Sequence, residues 1–544
     1  MSKIAQYLQE HVTGEVLDSV DARRYFSTDA SVLTISPNTI VYPRSENDVR
    51  KVARFTWQLA ERGRILPITA RGGGTDQAGA AIGSGVIVAF TAHMNRIIEL
   101  DAKSGEVVVE PGLNYGRLQQ TLETHGHFLP PYPASLDYST IGGAVANNAG
   151  GEKSVKYGDT RKYVRSLRVV LANGEVIETK RLGSRELNKK MGLSTLEGEI
   201  YRALDALLEE SKEVVALTGR DVSKNASGYD LVDLKYKDGS LDLTPLFVGS
   251  QGTLGIVTEI RLNTEPYNVE TSLLVAAFDD VQKLQQAVTE LKHDRETPSA
   301  MEVVDGHLLT LVGTHHPAHL KEVINKPYPS FVLLVEYDDN GRGQRRHAKH
   351  AAKLLEKQAL QVQMVTNLED QDSLWRIRQA SALAMAHSES HAKAVPFIED
   401  AAVPADKLAD LLNGIYELFE HSRTPVALWG HAGDAHLHLM PHLNLHEIGD
   451  RQKFFRLMDE YYRLVVSLGG TISGQQGDGR IRAPYVAQMY GPEVYALFEK
   501  VKKIFDPYGT LNQGVKIGTT LDDLKTYLRQ DYSLGRLHEY LPRS

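Results

Sequence analysis

Arg71-Gly72-Gly73-Gly74-Thr75-Asp76-Gln77 and Thr140-Ile141-Gly142-Gly143-Ala144-Val145-Ala146-Asn147-Asn148-Ala149-Gly150-Gly151 are the two stretches that decide the fold. The first follows Ile65–Ala70, which reads as a short buried strand. Consecutive glycines lack the Cβ that blocks close approach or positive φ, so backbone N–H groups can converge on an anion. The loop is a poor Rossmann fingerprint, since the third glycine is missing and no long amphipathic helix follows. The second stretch is a run of small residues against whose backbone a large planar group can lie.

Alone, either stretch is more simply a turn, but their companions change the reading. Glu110-Pro111-Gly112 ends a strand, Pro133-Ala134-Ser135 precedes the small-residue run, and Gly249-Ser250-Gln251-Gly252-Thr253-Leu254-Gly255-Ile256 leads a further glycine turn into a strand. Val49, Val52, Phe55 and Leu59 recur at helical spacing and predict a helix over about residues 46–62. Val86–Phe90 and Val107–Glu110 read as strands, and Leu167–Leu171 followed by Asn173-Gly174 reads as a hairpin. Glycine density falls near Thr264–Asn268, after which strands at Leu273–Phe278 and Phe331–Val335 alternate with helices through Leu284–Leu291 and over 343–360. Long helices are expected at about 371–392, 405–421 and 448–468.

The chain has 544 residues, 42% hydrophobic and 24% charged, which exceeds one hydrophobic core and predicts at least two domains. A formal charge of −8 without basic patches argues against a nucleic-acid partner. With no cysteine there is no disulfide, thiolate metal site, cysteine nucleophile or iron–sulfur cluster ligated by this chain. No secretory signal and no apolar run long enough to span a bilayer are seen, so a cytoplasmic enzyme is expected, with peripheral association at the inner membrane face left open.

The second informative region is Gly430-His431-Ala432-Gly433-Asp434-Ala435-His436-Leu437-His438, with Ser473-Gly474-Gln475-Gln476-Gly477-Asp478-Gly479 downstream. From His436 the chain alternates: His436, His438, Met440 and His442 share one strand face, and Leu437, Leu439 and Leu443 the other. Four imidazoles within twelve residues favour a polar site wall over scattered structural histidines.

Taken in order, these motifs resemble the vanillyl-alcohol-oxidase-type (PCMH-type) flavin enzymes, in the branch with D-lactate dehydrogenase, D-2-hydroxyglutarate dehydrogenase and the glycolate oxidase flavin subunit. The resemblance covers about residues 36–518. It implies an α+β fold: a two-subdomain FAD-binding domain over 36–268, an α+β cap domain over 269–505, and a return to the flavin site over 506–520. An N-terminal helical segment, 1–35, and a polar extension, 521–544, complete the chain. The resemblance further implies that Arg71, Gly72, Gly73, Gly74, Thr75, Asp76 and Gln77 hold the FAD pyrophosphate. More contacts are implied from Pro133, Ser135, Thr140, Gly142, Gly143, Asn147, Gly150, Gly252 and Ile256, with Asn512 near the isoalloxazine. Lys224-Asn225-Ala226-Ser227-Gly228-Tyr229-Asp230 also looks like a family motif. Gly74-Thr75 stands where covalent members often carry a histidine, so noncovalent FAD is expected.

For the site, the resemblance implies that His431 and His438 are metal ligands and that Arg378 grips a substrate carboxylate. In that pattern a divalent metal such as zinc binds a small 2-hydroxy acid whose hydride goes to flavin N5. The family's third ligand is a glutamate followed by a histidine base, and here Gln475 and Gln476 stand in their places. Gln475 is expected to coordinate weakly through its carbonyl, and Gln476 cannot accept a proton near neutral pH. His436, where relatives usually carry Asn or Cys, is the candidate to compensate as ligand or base. Lys393 and Glu399-Asp400 read as solvated charges or a structural ion pair.

The electron acceptor is expected to be separate: a quinone, an electron-transfer flavoprotein, an iron–sulfur protein or oxygen. Beside D-2-hydroxy acid oxidation stand two other readings, a flavoprotein whose catalysis is lost or redirected and a zinc hydrolase built on the histidines.

Overall fold

The helix Glu46–Glu61 forms where the spacing places it, with Val49, Val52, Ala53, Thr56 and Ala60 buried on one face. Glu46 and Asp48 sit in its first turn, where acidic groups suit the positive end of the helix. That face packs on a four-stranded sheet in the order Glu15–Leu17, Thr39–Tyr42, Val86–Ala89, Ile68–Arg71. The last three strands are mutually parallel, and Val86–Ala89 is buried along its whole length, as a covered parallel strand must be. The computed structural model describes residues 1–320, 323–339, 343–379, 392–530 and 532.

A second, five-stranded antiparallel sheet runs Ile97–Asp101, Glu106–Val109, Ile256–Leu262, Val164–Val170, Val176–Glu178. Its last two strands are the predicted hairpin, and Gly174, at φ +84°, supplies the turn residue that an L side chain would resist. The third sheet is antiparallel throughout. It runs Gln361–Val365, Ser272–Phe278, Phe331–Tyr337, Ala300–Asp305, Val426–His431, His436–Leu443 and Lys393–Ala394, with Ala401–Ala402 also on His436–Leu443. Helices Val281–Lys292, Leu408–Ser422 and Ile448–Ser467 carry the buried faces the periodicity foretold. The change of sheet between Leu262 and Ser272 falls where glycine density drops.

Three expectations are modified. Residues 1–35 are not only helical: Glu15–Leu17 adds an antiparallel edge strand to the first sheet. Of the helix expected over 371–392, Leu368–Gln379 is described and 380–391 lie outside the described residues. The extension begins with a capped helix, Leu521–Tyr527, and Leu528 bridges Leu33; residues 531 and 533–544 lie outside the described residues.

The chain crosses back to the first sheet near its end. Ile68 N donates to Thr510 O at 2.7 Å, and Asn512 N donates to Ile68 O at 2.7 Å. Lys502 anchors this return, its ammonium donating to Thr253 O (2.7 Å), Leu511 O (2.6 Å) and the Asp506 carboxylate (2.6 Å). Asp506 in turn accepts from the Thr510 and Leu511 amides. Removing the cation strands a buried carboxylate and two carbonyls. Lys502→Met is therefore expected to lower unfolding free energy by about 3 kcal/mol. Urea denaturation followed by circular dichroism reads this, and an unchanged midpoint would show that the anchor is not needed.

Candidate functional site

A cavity of about 400 Å³ opens where the two glycine stretches meet the third sheet, a size suited to a small-molecule or cofactor site. Arg71–Gln77, Pro133, Ser135, Thr140, Gly142, Gly143, Asn147, Gly150 and Gly252 line one side. Arg378, Glu399, Trp429, His431, His438, Met440, Gln475 and Gln476 line the other. The glycines are required by close packing: a Cβ at Gly72 would strike the Thr140 hydroxyl, and one at Gly73 the Tyr138 carbonyl. The first loop is thus pressed onto the start of the second, and Ser139, on the cavity wall between them, has a buried hydroxyl without a partner.

Hydrogen bonds lock the two glycine stretches to the Gln475 turn. Asn147 donates to Asp76 (3.1 Å), and Gln251 donates to the Asn147 side-chain oxygen (3.0 Å) and to the Gln476 carbonyl (3.2 Å). Gln251 also accepts from Gly479 N at 2.9 Å. Burial pushes the Asp76 carboxyl up to about 6, with the charge of Asp29 adding to the effect.

Two residues expected at the cofactor stand off the cavity, and Arg71, on its wall, is tied back to the chain. Ile256 packs into the core beneath the first sheet; its neighbours Gly255 and Val257 reach the cavity. Asn512 lies under the floor, donating to Ala80 O (2.9 Å) and Gln251 O (2.7 Å) and accepting from Thr69 (3.0 Å). Arg71 spends its guanidinium on the carbonyls of Thr28 (2.8 Å) and Ala81 (3.2 Å), so it braces the loop.

The opposite wall is a hairpin, Val426–His431 paired with His436–Leu443, that sets His431 across from His436. The alternation holds: His438 and Met440 face the cavity, while Leu437, Leu439 and Leu443 enter the core. His431 also registers against Glu302 on the strand Ala300–Asp305. Its Nδ1 lies 2.6 Å from Glu302 Oε1, and Arg378 Nε donates to Oε2 of the same carboxylate at 2.5 Å. His438 Nδ1 lies 3.4 Å from Glu399 Oε2. A carboxylate behind each ring fixes the tautomer and turns Nε2 forward. Between those nitrogens sits the Gln475 amide, with Nε2 at 3.1 Å from His431 Nε2 and 3.4 Å from His438 Nε2. The expected coordination through the Gln475 carbonyl does not fit this geometry, because that oxygen accepts from Lys224 Nζ at 2.9 Å.

Burial holds His431 well below the usual imidazole range, and Lys224 and Arg378 add to the shift. Burial pushes the Glu302 carboxyl up to about 8, against the pull of Arg378. Burial also takes His436 down to about 3. His436 is a correction. It is fully buried beside His431 and His438 on the same face of the sheet, covered by the turn at Gly474 and so off the cavity, with Nε2 2.9 Å from Asp400 Oδ1; it is placed to hold Asp400 and not to meet a substrate. Asp400 and Glu399 are not solvated charges, since both are buried and Glu399 lines the cavity. Gln476 lines the cavity too, its side-chain oxygen accepting from Arg482 at 3.4 Å.

Sequence reasoning missed Glu302, Gln251 and Glu152. Glu302 is visible only through strand pairing, and Gln251 only through its contacts. Glu152, directly after the small-residue run, lines the cavity near Arg378. Its adjacency to Gly151 was the one available signal.

Residues 268–515 match the family model for the C-terminal domain of FAD linked oxidases, and residues 37–180 match an FAD binding domain. The chain carries the two domains of an FAD-linked oxidase. It is 30% identical to a D-2-hydroxyglutarate dehydrogenase of Escherichia coli (strain K12), over 93% of this chain and 50% of the relative. It is 28% identical to the glycolate oxidase subunit GlcD of Bacillus subtilis (strain 168), over 91% and 93%, and 29% identical to a D-lactate dehydrogenase of Anaerostipes hadrus, over 88% and 89%. The chain thus spans about half the length of the D-2-hydroxyglutarate dehydrogenases it matches. In fold it is similar to a 4-ethylphenol oxidase from Gulosibacter chungangensis, at a TM-score of 0.67 and 15% identity over 95% of this chain and 97% of that one. Among the described residues no helix is long and apolar enough to cross a membrane.

The buried His436 makes a testable contribution to acid sensitivity. Its folded pKa lies below the unfolded 6.5, so its stabilisation is complete above pH 6.5 and is lost as pH falls toward 3. Between pH 6.5 and 5 that loss is about 2 kcal/mol. His436→Asn keeps a donor for Asp400 but does not titrate. The variant's urea stability is expected to fall less than the parent's between pH 7 and 5, by about that amount. Equal slopes would contradict the assignment.

Proposed function

We propose that the protein oxidises a D-2-hydroxy acid, of the D-lactate or D-2-hydroxyglutarate type, with noncovalently bound FAD as the oxidant. One observation carries the reading: Arg378, His431, His438 and Gln475 face the same cavity whose other wall is the pair of glycine stretches. The fit to FAD rests on that cavity, on the orphaned Ser139 hydroxyl within it, and on a loop backbone bared by Gly72, Gly73 and Gly74. When bound there, FAD supplies the acceptor for the hydride that leaves the carbinol carbon.

The protein's own contribution is to bind and orient. Arg378 is held through Nε by Glu302 and takes the substrate carboxylate at the cavity wall, the task for which a planar guanidinium is suited. His438 stands on the same wall with Nδ1 towards Glu399, and the Glu399 carboxylate, which also lines the cavity, takes the hydroxyl proton as the hydride leaves. Trp429 and Met440 close the apolar flank. Electrons then pass to a separate acceptor, and a cytoplasmic location accords with this chemistry.

Gln476 supports a second reading, in which the flavin cavity serves a different reaction. It stands where the family's base is expected and cannot take a proton. The hydrolase reading has no support once the chain is placed among FAD-linked oxidases.

Anaerobic mixing with a panel of D-2-hydroxy acids is expected to bleach the flavin absorption band. If none does so, the substrate class is wrong, although the flavin spectrum itself still reports cofactor binding. Arg378→Lys is expected to lower kcat/KM by about 10- to 100-fold, the worth of a charged hydrogen bond. Gln476→His separates the two readings: a large gain in hydroxy-acid turnover favours redirected chemistry in the parent, and a fall shows that the amide belongs to a working site.

A further inference from the structure

The histidine wall invites comparison with the metal site that the family resemblance implies, and its donors do not fit one. A divalent ion needs converging lone pairs, with no N–H donor pointing into their midst. Here His431 Nε2 and His438 Nε2 converge on one amide, and with Nδ1 of each ring turned to a carboxyl oxygen of Glu302 or Glu399, both Nε2 atoms are placed as acceptors. The third group offers donors instead. The Gln475 Nε2 amide has two N–H bonds and lies 3.1 Å and 3.4 Å from the two imidazole nitrogens. Its Oε1 is engaged at 2.9 Å by the ammonium of Lys224, itself 3.4 Å from the Asp434 carboxylate. Each side-chain atom of Gln475 therefore meets a partner of opposite polarity, and turning the amide over would set NH₂ against ammonium.

We infer that the Gln475 carboxamide takes the place of the metal ion in this chain, bridging His431 and His438 as a permanent neutral donor with Lys224 fixing its orientation. A glutamate at 475 would reverse the logic. Three acceptors would then face one another, and only a cation or a captured proton would reconcile them. His436 adds a third imidazole: one of its nitrogens comes within 4.8 Å of the ring nitrogens of His431 and His438, and with Nε2 on Asp400 its Nδ1 has no partner. It is therefore the Gln475 NH₂ group between His431 and His438, not a shortage of imidazoles, that opposes a cation here. The Asp400 oxygens are spent on His436 Nε2, the Ser473 hydroxyl and the backbone amides of Gln475 and Gln476.

The test measures metal, not turnover, so its outcome is separate from that of the hydroxy-acid reading. The FAD-loaded protein, purified without chelator, is analysed for metal content and titrated with zinc and with manganese. The parent is expected to carry far less than one ion per chain and to show no rise in Tm on addition of either metal. Gln475→Glu is expected to gain one ion per chain, with affinity raised by at least the about 100-fold that even an outer partner of a ligand is worth. Gln475→Ala removes the blocking donor without adding charge and is expected to gain weaker zinc binding, which keeps the test decisive if the glutamate variant does not fold. Stoichiometric metal in the parent, lost in His431→Ala and His438→Ala or in His436→Asn, would overturn the inference. So would failure of both Gln475 variants to gain zinc.

Discussion

Asp400 is the constraint around which the site is built. Its carboxylate is fully buried, its φ is +75°, and it gathers His436 Nε2, the Ser473 hydroxyl and the backbone amides of Gln475 and Gln476. Burial alone would raise its pKa; the His436 hydrogen bond, with the charge of Arg482, holds it well below the usual carboxylate range. A buried charge of this kind is tolerated only where its lone pairs are all occupied. That requirement fixes the Ser473–Gln476 turn against the histidine hairpin, and with it the place where Gln475 and Gln476 enter the cavity. The positive φ, costly for an aspartate, is sustained by the same set of bonds.

The glycine stretches follow a complementary rule. Their role in this fold is to let backbone meet backbone: Gly72 and Gly73 lie against Thr140 and Tyr138, and Gly142 against Pro111. The cavity is the space left between strands of chain that no side chain separates. Gln251, at φ +53°, then ties the small-residue run to the Gln475–Gly479 turn, so the two walls are one hydrogen-bonded unit. A shift of the histidine wall is thereby resisted from the flavin side.

Much of this was legible in the sequence because it rests on local pattern. The helix Glu46–Glu61, the Asn173-Gly174 hairpin and the alternating strand from His436 follow from periodicity and turn chemistry. Arg378, His431, His438, Gln475 and Gln476 do share one cavity with the glycine loops. What the sequence withheld depends on register and on hydrogen-bond polarity. Strand alternation puts His436 on the same face as His438, and there it is, but the turn at Gly474 covers it and its Nε2 goes to Asp400. Glu302 comes to His431 only because two strands distant in sequence are neighbours in the sheet. Glu399-Asp400 looked like surface charge because burial of an acidic pair leaves no local mark. The role of Gln475 was misjudged for a related reason: which amide atom faces the imidazoles is set by Lys224, 251 residues away in the chain.

Such a site can change without collapsing. Replacing a carboxylate with a carboxamide beside two acceptor imidazoles removes a charge and supplies two donors at once, so both the vacated cation and its ligand are accounted for by a single substitution. The Lys224 ammonium, already paired with Asp434, then finds a neutral acceptor in Gln475 Oε1. The remaining polar groups keep their partners: Glu302 stays with His431 and Arg378, and Glu399 with His438. What differs is the kind of electrostatic help a bound anion receives. A metal brings a mobile divalent charge that also polarises a hydroxyl, whereas the amide and Arg378 are fixed dipole and fixed charge, preorganised by the fold and independent of metal supply. Such a wall still holds and orients a carboxylate. It gives less assistance in removing a hydroxyl proton, which in the proposed oxidation goes to Glu399, beside His438 on the same wall.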